Sequence, residues 1–444
     1  MNIDRHGYSM SGATPDAAAH YDQAVHEFNL YRGDPIATID RAIAAAPPFT
    51  MAHVFKAYLL ALATEPAAMA DAAGLVATAH GLSGDDRERS HLAALEPLLR
   101  GDWTAAALAL DLHSARYPRD LVALQVGHVV DFYRANARSL RDRIARVLPH
   151  WSDSTPGHGV VLGMYAFGLE ECGDYGKAET AGLRAIDDEP LDCWAHHAVA
   201  HVMEMQGRAE DGINWAATRE SYWARDDNFF KVHNWWHRAL CHLDLRQTAE
   251  VLRLYDGPIR GTRSVVALDL VDASALLWRL TLIGHDVVDR WIEVAECWDR
   301  HADGRLYPFN DWHAVMAYLG AGRESDVERV IKALERTATG PGETARWAGA
   351  VALPLVRGFR AFSRKDYAGC VEGLYTARHI VNQFGGSHAQ RDVIDWTLTE
   401  AAVRGKHRAL SAALAHERLA LKPHSVMNRL LLKRARAGSA AVTP

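Results

Sequence analysis

An all-α chain built from repeated helical hairpins is the fold class this sequence predicts, and three observations predict it. Short Gly-Asp-aromatic turns recur, the apolar residues between them keep helical spacing, and no run of residues alternates as a half-buried strand would. Gly101-Asp102-Trp103 is followed by Ala106 five residues after the glycine and by Pro118 seventeen after it. Gly173-Asp174-Tyr175 is followed by Ala178, Ala185 and Pro190, at five, twelve and seventeen. Gly207 lies 34 residues after Gly173, again with a small residue, Gly212, five further on.

Each feature has a task in a helical hairpin. Gly and Asp make the tight turn between two helices. A small residue five positions later lets the second helix approach the first, and Pro ends the second helix. A period near 34 with this pattern is the signature of tetratricopeptide repeats. At roughly 35–40 residues per hairpin, the chain predicts a tetratricopeptide-repeat-like α-solenoid of about 10–12 hairpins, curling around a concave, partly closed groove.

Taken in order, Gly33-Asp34-Pro35 marks the first such turn, and the copies at Gly101, Gly173 and Gly207 are the clearest. Weaker copies fall near Gly284, Gly322, Lys365 and Gly405. The segments 256–263, 303–309, 339–342 and 384–388 are longer than a repeat turn needs, and they are expected to reach back over the groove. Residues 1–20 and 433–444 read as flexible ends on a single helical-repeat domain spanning 21–432.

Composition narrows the function. Of 444 residues, 49 are Lys or Arg and 55 are Asp or Glu, a net charge of −6 with no long run of either sign. That argues against nucleic acid as a partner, because phosphate binding needs a basic footprint. No stretch of apolar residues approaches the length of a membrane span. The opening MNIDRHGYSMSGATPD has no apolar leader core, and Cys172, Cys193, Cys241, Cys297 and Cys370 are scattered without a CxxC pair. A cytoplasmic chain without disulfides is expected. The unusual counts are 24 His and 13 Trp, side chains that are costly to bury without partners.

The most distinctive segment is WAHHAVAHVMEMQG, residues 194–207. Trp194, His197, His201 and Glu204 recur at helical spacing along one face. With the turn glycine as zero, the concave positions of such a repeat lie about thirteen, ten, six, three and two residues before it. For Gly207 these are Trp194, His197, His201, Glu204 and Met205, so the polar stripe is expected to face the groove. The next first helix carries His233, Trp235, Trp236, His237 and Arg238, although its turn, Asp244-Leu245-Arg246-Gln247, lacks a glycine. Later first helices carry Asp269, Asp272 and Trp278, then Asn310, Asp311, Trp312 and His313, then His388 and Arg391.

With these residues in view, the sequence resembles the tetratricopeptide repeat protein 38 family. The matching segments are GMYAFGLEECGDYGKAE (163–179), WAHHAVAHVMEMQGR (194–208), HNWWHRAL (233–240), DASALLWRL (272–280), FNDWHAVMA (309–317) and GGSHAQRDV (385–393). The resemblance spans residues 20–420 and implies an all-helical repeat fold. It implies no reaction, so the site residues are chosen on chemistry and placement.

Two functions from different classes follow. In the first, the pocket binds a small molecule and transforms it by acid–base chemistry of the hydrolase, isomerase or lyase type, without a cofactor. His201 is the leading acid or base, with His197, Glu204, His237, Asp272 and His388 as further catalytic candidates. Trp194, His233, Trp236, Trp278, Asp311, Trp312 and His313 would line the substrate, and Arg238 or Arg391 would hold an anionic group. Zinc or another divalent metal on His197, His201 and Glu204 is the minority alternative, since the segment is not HExxH. A cysteine nucleophile at Cys193 or Cys241 is weaker still, because buried cysteines usually only pack. In the second function, the chain is a non-catalytic scaffold for a protein or peptide partner, or for a second copy of itself. Against a catalytic reading of any single residue stands the ordinary one, that buried His–Asp and His–Glu pairs hold neighbouring repeats in register.

Overall fold

The computed structural model describes residues 2–437, and helices follow one another from Pro15 onward. Each of the clear repeat turns closes two helices in the way its residues require. Gly33, Gly101, Gly173, Gly207, Gly284 and Gly322 all sit at positive φ, between 70° and 89°. The residue after the turn then starts the second helix. Asp34 accepts from the Ala37 N–H at 2.9 Å and Asp102 from the Ala105 N–H at 3.2 Å, so the Gly-Asp pair combines a left-handed turn with an N-cap.

The degenerate copies keep the conformation and lose the glycine. Ala135, Arg246, Lys365 and Lys406 hold φ of 48°, 62°, 63° and 59° at the same place in their hairpins. Asn136 and Asp366 follow as N-caps, bonding the Ser139 and Gly369 N–H groups at 3.1 and 3.0 Å. A left-handed non-glycine residue costs about 1–2 kcal/mol, and here the packing of two helices offsets it. Near residue 405 the left-handed residue is Lys406; Gly405 itself is at φ −77°.

The small residue five positions after the turn is where the second helix meets the first. Ala106 and Ala178 are fully buried. A Cβ on Gly212 would stand 2.7 Å from the Cys241 Sγ, and one on Gly168 would stand 2.6 Å from the Arg141 backbone nitrogen. Between turns, Trp103, Trp223, Trp291 and Trp298 fill the core. Strand-like pairing among the described residues is confined to the isolated bridges Ile3–Ser9 and Arg32–Asn228. No helix among them is long and apolar enough to cross a membrane.

The described residues form two compact units, one of residues up to 202 with 219–231 and the other of residues 203–218 with those from 232 onward. Among the described residues, helical structure begins at Pro15 and continues to Ala437; residues 438–444 of the expected C-terminal tail lie outside them. The longer connections fold locally. Tyr255–Ile259 forms a π turn, and Arg260 bonds Glu293 of the helix Val288–Trp298. Gly304 gives its N–H to Asp311 at 2.9 Å and its carbonyl accepts from Thr337 Oγ1 at 2.6 Å.

Candidate functional site

In the second unit, the helix Lys231–Asp244 carries His233 and His237 one turn apart, facing the helix Ala267–Leu282 and the end of the helix Cys193–Met205. Their partners make a continuous chain. Asp272 Oδ2 lies 2.8 Å from His233 Nδ1, His233 Nε2 lies 3.2 Å from His237 Nε2, and His237 Nδ1 lies 2.7 Å from Glu204 Oε2. Lys422 Nζ stands 3.4 Å from the other Glu204 oxygen. Asp272 is fully buried, and the side chains of His233, His237 and Glu204 keep only 4%, 2% and 10% of their surface, which takes the whole chain out of bulk water.

With Asp272 and Glu204 ionised, each carboxylate accepts from an Nδ1–H and each Nε2 presents its lone pair. A proton held between the two Nε2 atoms, 3.2 Å apart, then links the four groups as a carboxylate–imidazole–imidazole–carboxylate relay. Trp236 stacks on His233 at 5.3 Å and meets His237 edge-on at 4.9 Å, which fixes both ring planes. One turn before Asp272, burial pushes the Asp269 carboxyl up to about 6, against the opposing hydrogen bond from Ser264. A small cavity of about 50 Å³ adjoins Glu204 and is lined also by Arg279, Asp392, Arg418 and Lys422. It has room for a water molecule, the least a proton needs to leave the relay.

The same donor set could hold a metal ion. A histidine whose Nδ1 is fixed by a carboxylate presents Nε2 as a ligand, and His233 and His237 both do so.

The first unit places the stripe Trp194, His197 and His201 among aromatic rings. Trp194 stacks on Tyr31 at 5.6 Å and donates from Nε1 to His128 Nε2 at 3.2 Å. Phe167 stacks on His197 at 5.3 Å and meets His201 edge-on at the same distance. His201 Nδ1 lies 3.4 Å from Glu170 Oε2, with both side chains fully buried. Glu170, Glu171 and His201 bring three ligand atoms within 4.8 Å of one another. Of the residues expected on one helix, Glu204 bonds His237 and His201 lies beside Glu170. Glu170 was legible in the sequence, since it lies three residues before Gly173 as Glu204 lies three before Gly207.

The other expected residues have partners elsewhere in the second unit. His313 Nδ1 donates to the Phe309 carbonyl at 2.8 Å, and burial pushes this imidazole down to about 3. Asp311, raised by burial, holds the Gly304 N–H. Arg391 donates to the Gly386 carbonyl and lies 3.5 Å from His388 Nδ1, so both residues order their own loop. Trp278 donates to Thr397 Oγ1 at 2.9 Å and packs with Trp312 against Phe359, as core rings. Arg238 lies over the ring of Trp235 at 5.2 Å. Burial raises the thiols of Cys193 and Cys241, which removes the thiolate a nucleophile requires.

Helices in hairpins, with left-handed turn residues at the joints, make this an all-α helical-repeat protein of the tetratricopeptide type. No family model matches the chain. Among solved structures it is similar to the crystal structure of the APC/C hetero-tetramer Cut9-Hcn1, with a TM-score of 0.43 and 15% identity over 94% of this chain and 76% of that one.

Proposed function

We propose that the second unit is an acid–base centre acting on a small molecule, and that Asp272, His233, His237 and Glu204 are its proton-handling residues. The single observation behind this reading is the shared contact between two Nε2 atoms whose Nδ1 partners are both buried carboxylates. Such a pair accepts a proton at one end and releases one at the other without moving a ring, which suits hydrolase, isomerase or lyase chemistry at neutral pH. No cofactor is needed for this. We also propose that the chain belongs to the tetratricopeptide repeat protein 38 family, on the six motifs given above, and that it works in the cytoplasm, on its scattered free thiols.

The test is a panel of ester, amide, epoxide and hydroxy-acid substrates with the wild type, His237→Ala and Asp272→Asn. Loss of the proton-handling residues is expected to lower turnover on the accepted substrate by about 10²–10⁴-fold. Equal turnover by all three proteins would remove the assignment.

A second reading, the protein-binding scaffold, has its own observation. Leu108 and Leu112, one turn apart on the helix Trp103–Arg116, are 58% and 65% exposed. Two exposed leucines on one helical face are the kind of patch that a protein partner or a second copy covers. Leu108→Asp with Leu112→Asp separates the readings, since it should abolish partner capture and leave turnover unchanged.

A further inference from the structure

His233 and His237 stand on the helix Lys231–Asp244 at i and i+4, the spacing at which two imidazoles on one helix reach a common point. Their Nε2 atoms are 3.2 Å apart, and their rings stand at 87° to each other. Two zinc–nitrogen bonds of about 2.0–2.1 Å, meeting at a tetrahedral angle, span about 3.3–3.4 Å. The pair is therefore already spaced as two ligands of one ion.

The far nitrogens are committed in the way metal-bound imidazoles require. Nδ1 of His233 lies 2.8 Å from Asp272, and Nδ1 of His237 lies 2.7 Å from Glu204. A ligating histidine almost always gives its other N–H to a carboxylate, a carbonyl or water, which fixes the tautomer and makes Nε2 more basic. Trp236 packs against both rings, so little order has to be gained on binding. The two carboxylates also favour a cation beside them, although Lys422 answers part of the Glu204 charge.

Two other histidine groups lack this arrangement. His91 and His113 both turn Nε2 to one oxygen of Asp120, and Arg87 takes the same oxygen at 2.7 Å, so an ion there would meet a guanidinium. His158 shares Asp153 and Asp188 with Arg184. In both groups the carboxylates are taken up by arginine, whereas at His233 and His237 they stand behind the rings and leave the Nε2 side to a ligand.

We propose that His233 and His237 bind one divalent ion of the zinc class through their Nε2 atoms, with Asp272 and Glu204 holding the two ligands from behind. Imidazole nitrogen selects zinc, cobalt, nickel or copper over magnesium and calcium, which take oxygen. Water fills coordination positions that the pair does not supply. An ion here displaces the proton that the relay shares. The inference therefore rests on the same four residues as the acid–base reading, and adds a metal-loaded state in which the relay cannot run.

The experiment is uptake of zinc chloride by the full chain at pH 7.5, in competition with a chromophoric chelator and beside magnesium chloride. One equivalent of zinc per chain is expected to be held. His237→Ala is expected to weaken it tenfold or more, and Asp272→Asn by about tenfold. His158→Ala, at the surface group with Asp153 and Asp188, is expected to leave it unchanged. Should His237→Ala fail to fold by circular dichroism, nitrogen-15 spectra of the wild-type imidazoles give the answer: zinc is expected to shift two Nε2 signals and leave their Nδ1–H protons in place. No zinc held, uptake unchanged in both His237→Ala and Asp272→Asn, uptake lost in His158→Ala, or magnesium held as tightly as zinc would each overturn the proposal. Zinc uptake by a chain that turns over no substrate would leave the ion site standing without the acid–base reading, and turnover with no zinc uptake would do the reverse.

Discussion

His233 and His237 meet through their Nε2 atoms at 3.2 Å, and the opposite nitrogen of each ring is held by a buried carboxylate. Neither ring can turn without losing a charge-assisted bond, so the pair is a fixed acceptor for one positive charge.

The relay should be expensive to break. Asp272→Ala strands the His233 Nδ1–H in a fully buried position and is expected to cost about 3–5 kcal/mol, whereas Asp272→Asn keeps an acceptor and should cost less. Chemical denaturation monitored by tryptophan fluorescence measures both. Equal, small losses would mean that the carboxylate does not hold the ring.

A buried carboxyl should make stability depend on pH in the direction opposite to acid denaturation. Asp192 caps its helix through the N–H groups of Trp194 and Ala195, at 2.9 and 3.2 Å, and burial pushes its carboxyl up to about 8. Its folded value lies above the unfolded one of about 3.9, so the folded state holds an extra proton in between and loses stability as pH rises through that window. Asp192→Asn keeps the cap and removes the titration. The advantage of the variant in urea midpoint is expected to grow from pH 4 to pH 8 and then level off; a constant difference would refute this.

His128 works the other way. It accepts the Trp194 indole N–H at 3.2 Å, and burial pushes its imidazole down to about 3. With a folded value below the unfolded one of about 6.5, it costs stability as pH falls from 6.5 towards 3, because the unfolded chain takes a proton the folded chain refuses. His128→Gln retains an acceptor and should narrow the gap in midpoint between pH 7 and pH 4.5. A gap as wide as in the wild type would place the acid sensitivity elsewhere.

Thiol reactivity should follow burial. Cys172 is exposed and Cys297 partly so, while Cys193, Cys241 and Cys370 are buried, the last with its thiol pushed up to about 12. Native protein treated with a thiol-exchange reagent is expected to label Cys172 fastest and Cys297 slowly, the other three only in denaturant. Rapid native labelling of Cys193 or Cys241 would reopen a nucleophilic role.

Close helix approach should make one glycine intolerant of even a methyl. Gly168→Ala puts its Cβ against the Arg141 backbone, which cannot rotate away, and should cost about 1–3 kcal/mol or more. Gly176→Ala, with open space at the same test, serves as the control and should be neutral or mildly stabilising.

The repeat was readable because a hairpin is a local object. A left-handed residue, a cap on the next position and a small side chain five residues on all act within one turn and its flanks, so Gly173-Asp174 and Gly101-Asp102 announce themselves in the chain. Even the turn at Arg246, with no glycine to mark it, obeys the same geometry once the helices are packed. That His233 and His237 share one side of their helix was likewise plain from their spacing, because one face recurs with the helical period.

Which carboxylate serves which histidine was decided only by packing between hairpins. His233 and Asp272 are 39 residues apart in the chain, His237 and Glu204 are 33 apart, and the pairing depends on the angle at which successive helices cross. The same holds for the small cavity beside Glu204, whose walls come from segments more than a hundred residues apart. Local turns and helical faces are set by the preferences of neighbouring residues. Hydrogen-bond partners and cavities are set by side chains that meet only after the helices have stacked, and no spacing along a single helix encodes them.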